Sequence, residues 1–263
     1  WWKLKNAGLT QYEPPASGYD PSKTTFPMAA SSHSASETER YVYVAGNDIA
    51  SAGGAADPDG NVDVYDVEAY SWDVYTRALE KYGANNLVLL GASSGGGVCM
   101  GLCVKAAMQG KPQPANTILF CPWTDVKVSD EAKNVKNTGG VDFDSLRYWG
   151  ARYTRATDAT YRNGKIETDY DECVGAGTTY YFASPLRDDT ARNQLGNLKN
   201  IAIYAGSKDP CYPDAEKFYN EIKLRNGTAE WKLYNGQHAF MLLSSTGTAT
   251  EVVHDACWKV MTQ

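Results

Sequence analysis

The feature that most constrains this chain is a series of short apolar runs separated by stretches of helical periodicity. Tyr41–Ala45 (YVYVA), Leu87–Leu90 (LVLL), Thr117–Phe120 (TILF) and Ile201–Ala205 (IAIYA) each read as a strand, and Glu230–Tyr234 reads as a last one. Leu87–Leu90 is wholly apolar, as expected of a strand covered on both faces. Between the runs, Val67, Tyr70, Val74 and Ala78 recur at helical spacing, and that helix closes near Lys81-Tyr82-Gly83. Val98–Met108 continues as a helix stopped by Gly110 and Pro112. Ala215, Phe218, Tyr219 and Ile222 share another helix face, and Val252, Val253, Ala256 and Val260 mark a C-terminal helix. Strands that alternate with helices predict an α/β fold, with a mostly parallel central sheet and crossover helices on its faces.

A chain of 263 residues is long enough for one large domain of this kind. Residues 1–40 are rich in Pro, Ser, Thr and Gly and read as an irregular N-terminal segment, so the domain is expected over 41–263. The chain opens without Met and reads as a processed or trimmed product. Residues 126–183 break the rhythm with Tyr148-Trp149, Tyr153, Tyr161 and Tyr180-Tyr181-Phe182. An insertion of that size between strands predicts a helical, aromatic lid over the strand ends; an irregular surface excursion is the alternative.

The net charge of -6 argues against a nucleic-acid binder and against an anionic membrane surface as partner. No apolar run approaches the roughly 18 residues of a membrane span, and no signal peptide is visible. The 6 cysteines (99, 103, 121, 173, 211 and 257) form no CxxC pair and no zinc-like spacing. Cys99 and Cys103 fall on a buried helix pattern, which favours reduced structural thiols over a disulfide framework and a cytoplasmic over a secreted location. Asn226-Gly227-Thr228 is the one glycosylation sequon. A homodimer is compatible with this composition.

The residues with chemistry begin at Gly91-Ala92-Ser93-Ser94-Gly95, between the LVLL strand and a helix. G-x-S-x-G in that setting reads as a nucleophile elbow: glycines permit the sharp turn, and the Ser93 hydroxyl is left exposed at its tip. The helix that follows aims its first amides at the site. A serine hydroxyl needs a base to take its proton, and the chain has 3 histidines: His33, His238 and His254. His33 lies in a Ser-rich loop before the elbow, and His254 sits inside the C-terminal helix pattern, where it reads as structural. His238 follows the last strand in Asn235-Gly236-Gln237-His238-Ala239-Phe240 and completes the order serine, acid, histidine. Asp209, just past the IAIYA strand, is the expected acid; Asp214 is the rival but suits a helix N-cap.

Taken together, these segments resemble the hormone-sensitive-lipase-like esterases of the α/β-hydrolase fold. Gly91-Ala92-Ser93-Ser94-Gly95-Gly96-Gly97 resembles their elbow, and Pro122-Trp123-Thr124-Asp125 their segment after the next strand. Ser184-Pro185-Leu186 resembles the segment before the acid strand, and Asp66–Trp72 the helix before the elbow. Ala205–Pro210 and His238-Ala239-Phe240 resemble the acid and histidine loops. The likeness runs from about residue 41 to the C-terminus. It implies carboxylester hydrolysis of a small-molecule substrate on short- to medium-chain acyl groups, with neither cofactor nor metal. Ser93 would attack the carbonyl, His238 would shuttle the proton, Asp209 would hold the imidazole, and the Ser94 amide would supply an oxyanion donor.

The chain departs from that family in carrying no H-G-G-G sequence, the loop that builds the family's oxyanion hole; Gly53-Gly54 comes after the first strand, not before it. It therefore reads either as abbreviated at its N-terminus or as a sequence from which segments are missing, and a missing oxyanion donor typically costs about 100- to 1000-fold in rate. A non-catalytic ligand-binding protein on the same fold, or a peptidase or amidase on the same three residues, is the alternative. Asp57-Pro58-Asp59-Gly60-Asn61-Val62-Asp63 with Glu68 resembles a calcium-loop spacing, but Val62 stands where that loop needs glycine, so a polar surface loop is expected.

Overall fold

Every predicted strand joins one parallel sheet. A computed structural model of the chain describes residues 41–45, 64–136, 141–154, 161–162, 165–166, 180–243 and 247–261. The segment 1–40 with His33, the Gly53-Gly54 pair, residues 57–63 and Cys173 lie outside the described residues. The first half contains β1 (Tyr41–Ala45), α1 (Val64–Tyr82), β2 (Leu87–Ala92), α2 (Ser94–Met108), β3 (Asn116–Phe120) and α3 (Phe143–Tyr153). Two-residue strands β4 (Tyr161–Arg162) and β5 (Lys165–Ile166) follow, then α4 (Asp189–Asn193) and β6 (Ile201–Gly206). The chain continues through α5 (Tyr212–Leu224), β7 (Ala229–Tyr234), α6 (Phe240–Leu243) and α7 (Thr248–Met261). The main sheet has the order β1-β2-β3-β6-β7, and β4 and β5 form a separate antiparallel pair.

All neighbours in the main sheet are parallel, with Leu90 beside Ile118 and Leu119 beside Ile203. Side chains of a strand alternate between its faces, and the two faces bury separate cores. Leu87, Leu89, Leu119, Ile201 and Ile203 pack with Val67 and Tyr75 of α1, Leu102 of α2, and Phe218 and Ile222 of α5. Val88, Ile118, Phe120, Ala202 and Tyr204 pack with Met241 of α6 and with Val252 and Ala256 of α7. Each fully buried aliphatic side chain of this kind contributes about 1.5–3 kcal/mol, so the double-sided sheet dominates the stability. Because the strands all run one way, their C-terminal ends share one edge, and the loops after β2, β3, β6 and β7 gather there.

Three local readings change. The helix after the elbow starts at Ser94 rather than near Val98. Gly95–Gly97 hide the periodicity, and packing supplies the reason for them. A Cβ on Gly96 would meet Pro122 Cβ at 2.8 Å, and one on Gly97 would meet the Trp123 carbonyl at 2.6 Å. In α7, Val252 and Ala256 are buried, but Val253 is 38% exposed and His254 lies on the exposed side. His254 is thus a surface residue and not a packed one. Asp214 is not an N-cap: Cys211 precedes α5, and Asp214 stands in its first turn, accepting the Ser129 amide at 2.9 Å.

The described parts of 126–183 are built into the core. Leu146 and Tyr153 of α3 are buried in it, and Tyr180, Tyr181 and Phe182 return against α1 and α2. Glu68, buried in α1, accepts Lys105 Nζ at 2.5 Å and the hydroxyls of Tyr180 and Tyr181. The last residue of the calcium-loop-like pattern is therefore committed inside the fold. Cys99, Cys103, Cys121 and Cys211 are buried thiols. Among the described residues no helix is long and apolar enough to cross a membrane.

Candidate active site

Ser93 stands between β2 and α2 with φ 55° and ψ -123°. A left-handed φ on a residue with a side chain is a strained turn that its surroundings must hold. Here the Ser93 amide donates to the Phe120 carbonyl at 2.9 Å, and the Ser93 carbonyl accepts the amides of Trp123 at 3.0 Å and Gly97 at 3.1 Å. Glycine is required beside it: a Cβ on Gly91 would meet the Gly95 carbonyl oxygen at 2.3 Å. The next three residues, Ser94, Gly95 and Gly96, open α2, where first-turn amides have no carbonyl four residues back. With the positive end of the helix dipole, they make this turn a natural place for developing negative charge.

Asp209 follows β6 and His238 follows β7, and those two loops are locked together. Ser207 donates to the Tyr234 carbonyl at 2.8 Å and Lys208 to the Gly236 carbonyl at 2.9 Å. The approach needs Gly206, since a Cβ there would lie 2.4 Å from the Gly236 carbonyl oxygen. His238 Nδ1 lies 2.9 Å from Asp209 Oδ1, and His238 Nε2 lies 2.8 Å from Ser93 Oγ. Asp209 is fully buried and His238 is 7% exposed. The three residues singled out in the sequence from three separate loops are therefore in one hydrogen-bonded line. Ser94 flanks it as the first residue of α2.

Beside Ser94 lies a cavity of about 20 Å³ walled by Val98, Trp123, Val126, Tyr153 and Phe182, enough for about one water molecule. Asp125, Ser184 and Arg187 form the other polar centre near the strand ends. Ser184 Oγ donates to Asp125 Oδ1 at 3.0 Å, and the Arg187 guanidinium reaches both carboxylate oxygens, Nη2 at 2.6 Å from Oδ2. This explains why the two segments flanking the insertion carry the residues they do.

Sequence reasoning missed what surrounds Asp209. Cys121, immediately after β3, and Cys211, before α5, stand next to the carboxylate. Both thiols are pushed well above the ordinary range, by burial first and by the Asp209 charge second, so they stay protonated. Cys121, Asp209 and His238 are the one metal-capable cluster among the described residues, their ligand atoms within 4.8 Å of one another. His238 Nδ1 and Asp209 Oδ1 are spent on each other in the direct 2.9 Å contact. The only sequence signal for the thiols was position: one directly ends a strand and the other follows the acid by two residues.

Residues 61–242 match the alpha/beta hydrolase fold family. LipR, a protein of Mycobacterium tuberculosis named for an acetyl-hydrolase activity, is 25% identical over 172 residues, covering 64% of this chain and 48% of its own length. The structure of carboxyl esterase 2 from the mycorrhizal fungus Tuber melanosporum superposes with a TM-score of 0.61 at 18% identity, over 78% of this chain and 63% of that one. A hormone-sensitive lipase from a metagenome library gives 0.60 at 19% identity, over 78% and 62%. The chain thus spans about half the length of the curated relative and about three fifths of these solved chains. At such identities the structural likeness speaks to the fold alone. With its match over most of its length, the chain belongs to the alpha/beta hydrolase fold family.

Proposed function

We propose that the chain is a serine carboxylester hydrolase acting on short- to medium-chain acyl esters through an acyl-enzyme. Ser93 is the nucleophile, His238 the general base and Asp209 the acid that orients it. One observation carries the reading: a single buried imidazole is engaged at both nitrogens, by Ser93 Oγ at 2.8 Å and Asp209 Oδ1 at 2.9 Å. An ionised carboxylate only accepts, so Nδ1 holds the hydrogen and Nε2 is left free to take the serine proton.

The chemistry follows from that tautomer. Nε2 takes the Ser93 proton as Oγ attacks the ester carbonyl, and the imidazolium is stabilised by Asp209. The Ser94 amide at the start of α2 donates to the oxyanion of the tetrahedral intermediate. Collapse expels the alcohol, which takes the proton from Nε2, and water then repeats the sequence to release the acid. The insertion at 126–183 covers the acyl group in this reading; Val126, Tyr153 and Phe182, which wall the apolar cavity beside Ser94, support it. The acetyl-hydrolase name of LipR points the same way.

Fluorophosphonate labelling with peptide mapping tests the proposal, alongside turnover of nitrophenyl acetate, butyrate and longer esters. The expected result is labelling confined to Ser93, lost in Ser93→Ala, with turnover falling as the acyl chain lengthens. No labelling of the wild type would overturn it in favour of a ligand-binding protein. Turnover of amides in preference to esters would replace it with a peptidase or amidase.

A further inference from the structure

Asp209 is unevenly satisfied. Its Oδ1 accepts both His238 Nδ1 at 2.9 Å and the Cys211 amide at 2.8 Å. Its Oδ2 is buried and has no hydrogen-bond partner. A buried carboxylate oxygen with no donor is costly, and a protein that keeps one charged needs nearby dipoles to offset it.

The groups beside this carboxylate are two thiols from two different elements. Cys121 Sγ lies within 4.8 Å of an Asp209 carboxylate oxygen and a His238 ring nitrogen. It is held there by a left-handed turn, φ 45°, in which the Cys121 amide donates to the Tyr204 carbonyl at 2.7 Å. Such a φ disfavours any residue with a Cβ by roughly 1–2 kcal/mol, so the packing at the end of β3 enforces it. Cys211 is 2% exposed and Cys121 1%, and both feel the Asp209 charge. A thiol hydrogen rotates freely about the Cβ–Sγ bond and makes a weak donor.

We infer that Cys121 and Cys211 are positioning residues: their S–H groups turn toward Asp209 Oδ2 and hold the carboxylate in register with His238. The inference rests on the reading of Ser93, His238 and Asp209 as a catalytic line. Weak donors suit the position. They offset the charge on Oδ2 but withdraw little of it, so Oδ1 remains a strong acceptor for the imidazolium. A hydroxyl or a backbone amide on Oδ2 would draw off more, and an apolar side chain none. His238 after β7, Cys121 after β3 and Cys211 before α5 stand against Asp209. Asp214, in the first turn of α5, acts on Cys211.

The test is the titration of the His238 ring followed by NMR, which requires no turnover; its signal is the one of 3 that vanishes in His238→Ala. Loss of the donors leaves more charge on the carboxylate and favours the imidazolium. In Cys121→Ala/Cys211→Ala the midpoint is expected to rise by about half a pH unit. In Cys121→Ser/Cys211→Ser it stays at the wild-type value or falls, since hydroxyls donate better. The two alanine single variants show part of the rise, should the double variant not fold. Alanine variants that titrate as wild type, or serine and alanine variants that move alike, would overturn the inference and leave the thiols a packing role. Ester turnover with an unmoved titration removes only this inference; the expected titration in a protein that turns over no ester removes only the proposed hydrolysis.

Discussion

Asp125, in the segment after β3, and Asp209, in the loop after β6, are both buried carboxylates at the same edge of the sheet. Asp125 accepts the Arg187 fork on both oxygens, the Ser184 hydroxyl, and the Lys127 amide at 3.0 Å. Asp209 accepts one backbone amide and one imidazole on the same oxygen, and its other oxygen accepts no N–H or O–H. The first carboxylate has spent its accepting capacity on holding residues 184–187 against the segment after β3. The second keeps negative charge in reserve, facing a ring that must become cationic. A saturated carboxylate ties chain to chain; an undersaturated one remains responsive to a proton arriving next to it.

The largest effect that would break this contrast is at the end of the line. Ser93→Ala should lower kcat for nitrophenyl acetate by about 10⁵- to 10⁶-fold, with the melting temperature nearly unchanged. Hydrolysis persisting in that variant would detach the whole polar line from chemistry. Asp209→Asn comes next: the amide can present its NH₂ to the ring and select the wrong tautomer, so a loss of about 10⁴-fold in kcat is expected. Steady-state kinetics on the purified, folded variant reads this directly.

Asp125→Asn should behave in the opposite way. It strips the charge from a buried pair whose arginine is partly exposed, so a loss of about 2–3 kcal/mol in urea unfolding is expected, while kcat/KM of the folded protein stays within about tenfold of wild type. A catalytic collapse without a stability loss would erase the distinction between the two aspartates. The smallest effect concerns Asp214, whose carboxyl is held above the usual aspartate range by burial first and by the Asp125 charge second. A carboxyl raised in the folded state favours folding while protonated, and that contribution is lost as pH rises through its folded value. Unfolding free energies measured from pH 4 upward should therefore show a falling contribution that Asp214→Asn removes. The same slope in the variant would place its origin elsewhere.

Much of this was legible in the residues. Strands β2, β3 and β6 were plain because each is a mostly apolar run with buried residues on both faces, and Ser93, Asp209 and His238 were legible because each lies within four residues of a strand's end. The start of α2 was not legible, since Gly95–Gly97 carry no side chains from which to read a period. Asp214 looked like a cap because a short polar residue before an apolar helix face usually is one; its partner, Ser129, is far away in sequence. Val253 sits one residue from buried Val252 and so on another side of the helix, which apolar character alone could not tell.

What the sequence determined by itself was the alternation of apolar strands and amphipathic helices, and with it the parallel sheet and the order in which its loops deliver serine, acid and histidine. Those signals are local, carried by hydrophobic periodicity and by glycines at turns too tight for a Cβ. Only the tertiary structure decided that Asp125 is saturated by Arg187 and Ser184 and that two thiols from separate elements flank Asp209. The degree to which a buried charge is satisfied depends on donors brought from distant parts of the chain, and no period or motif along one segment records that sum.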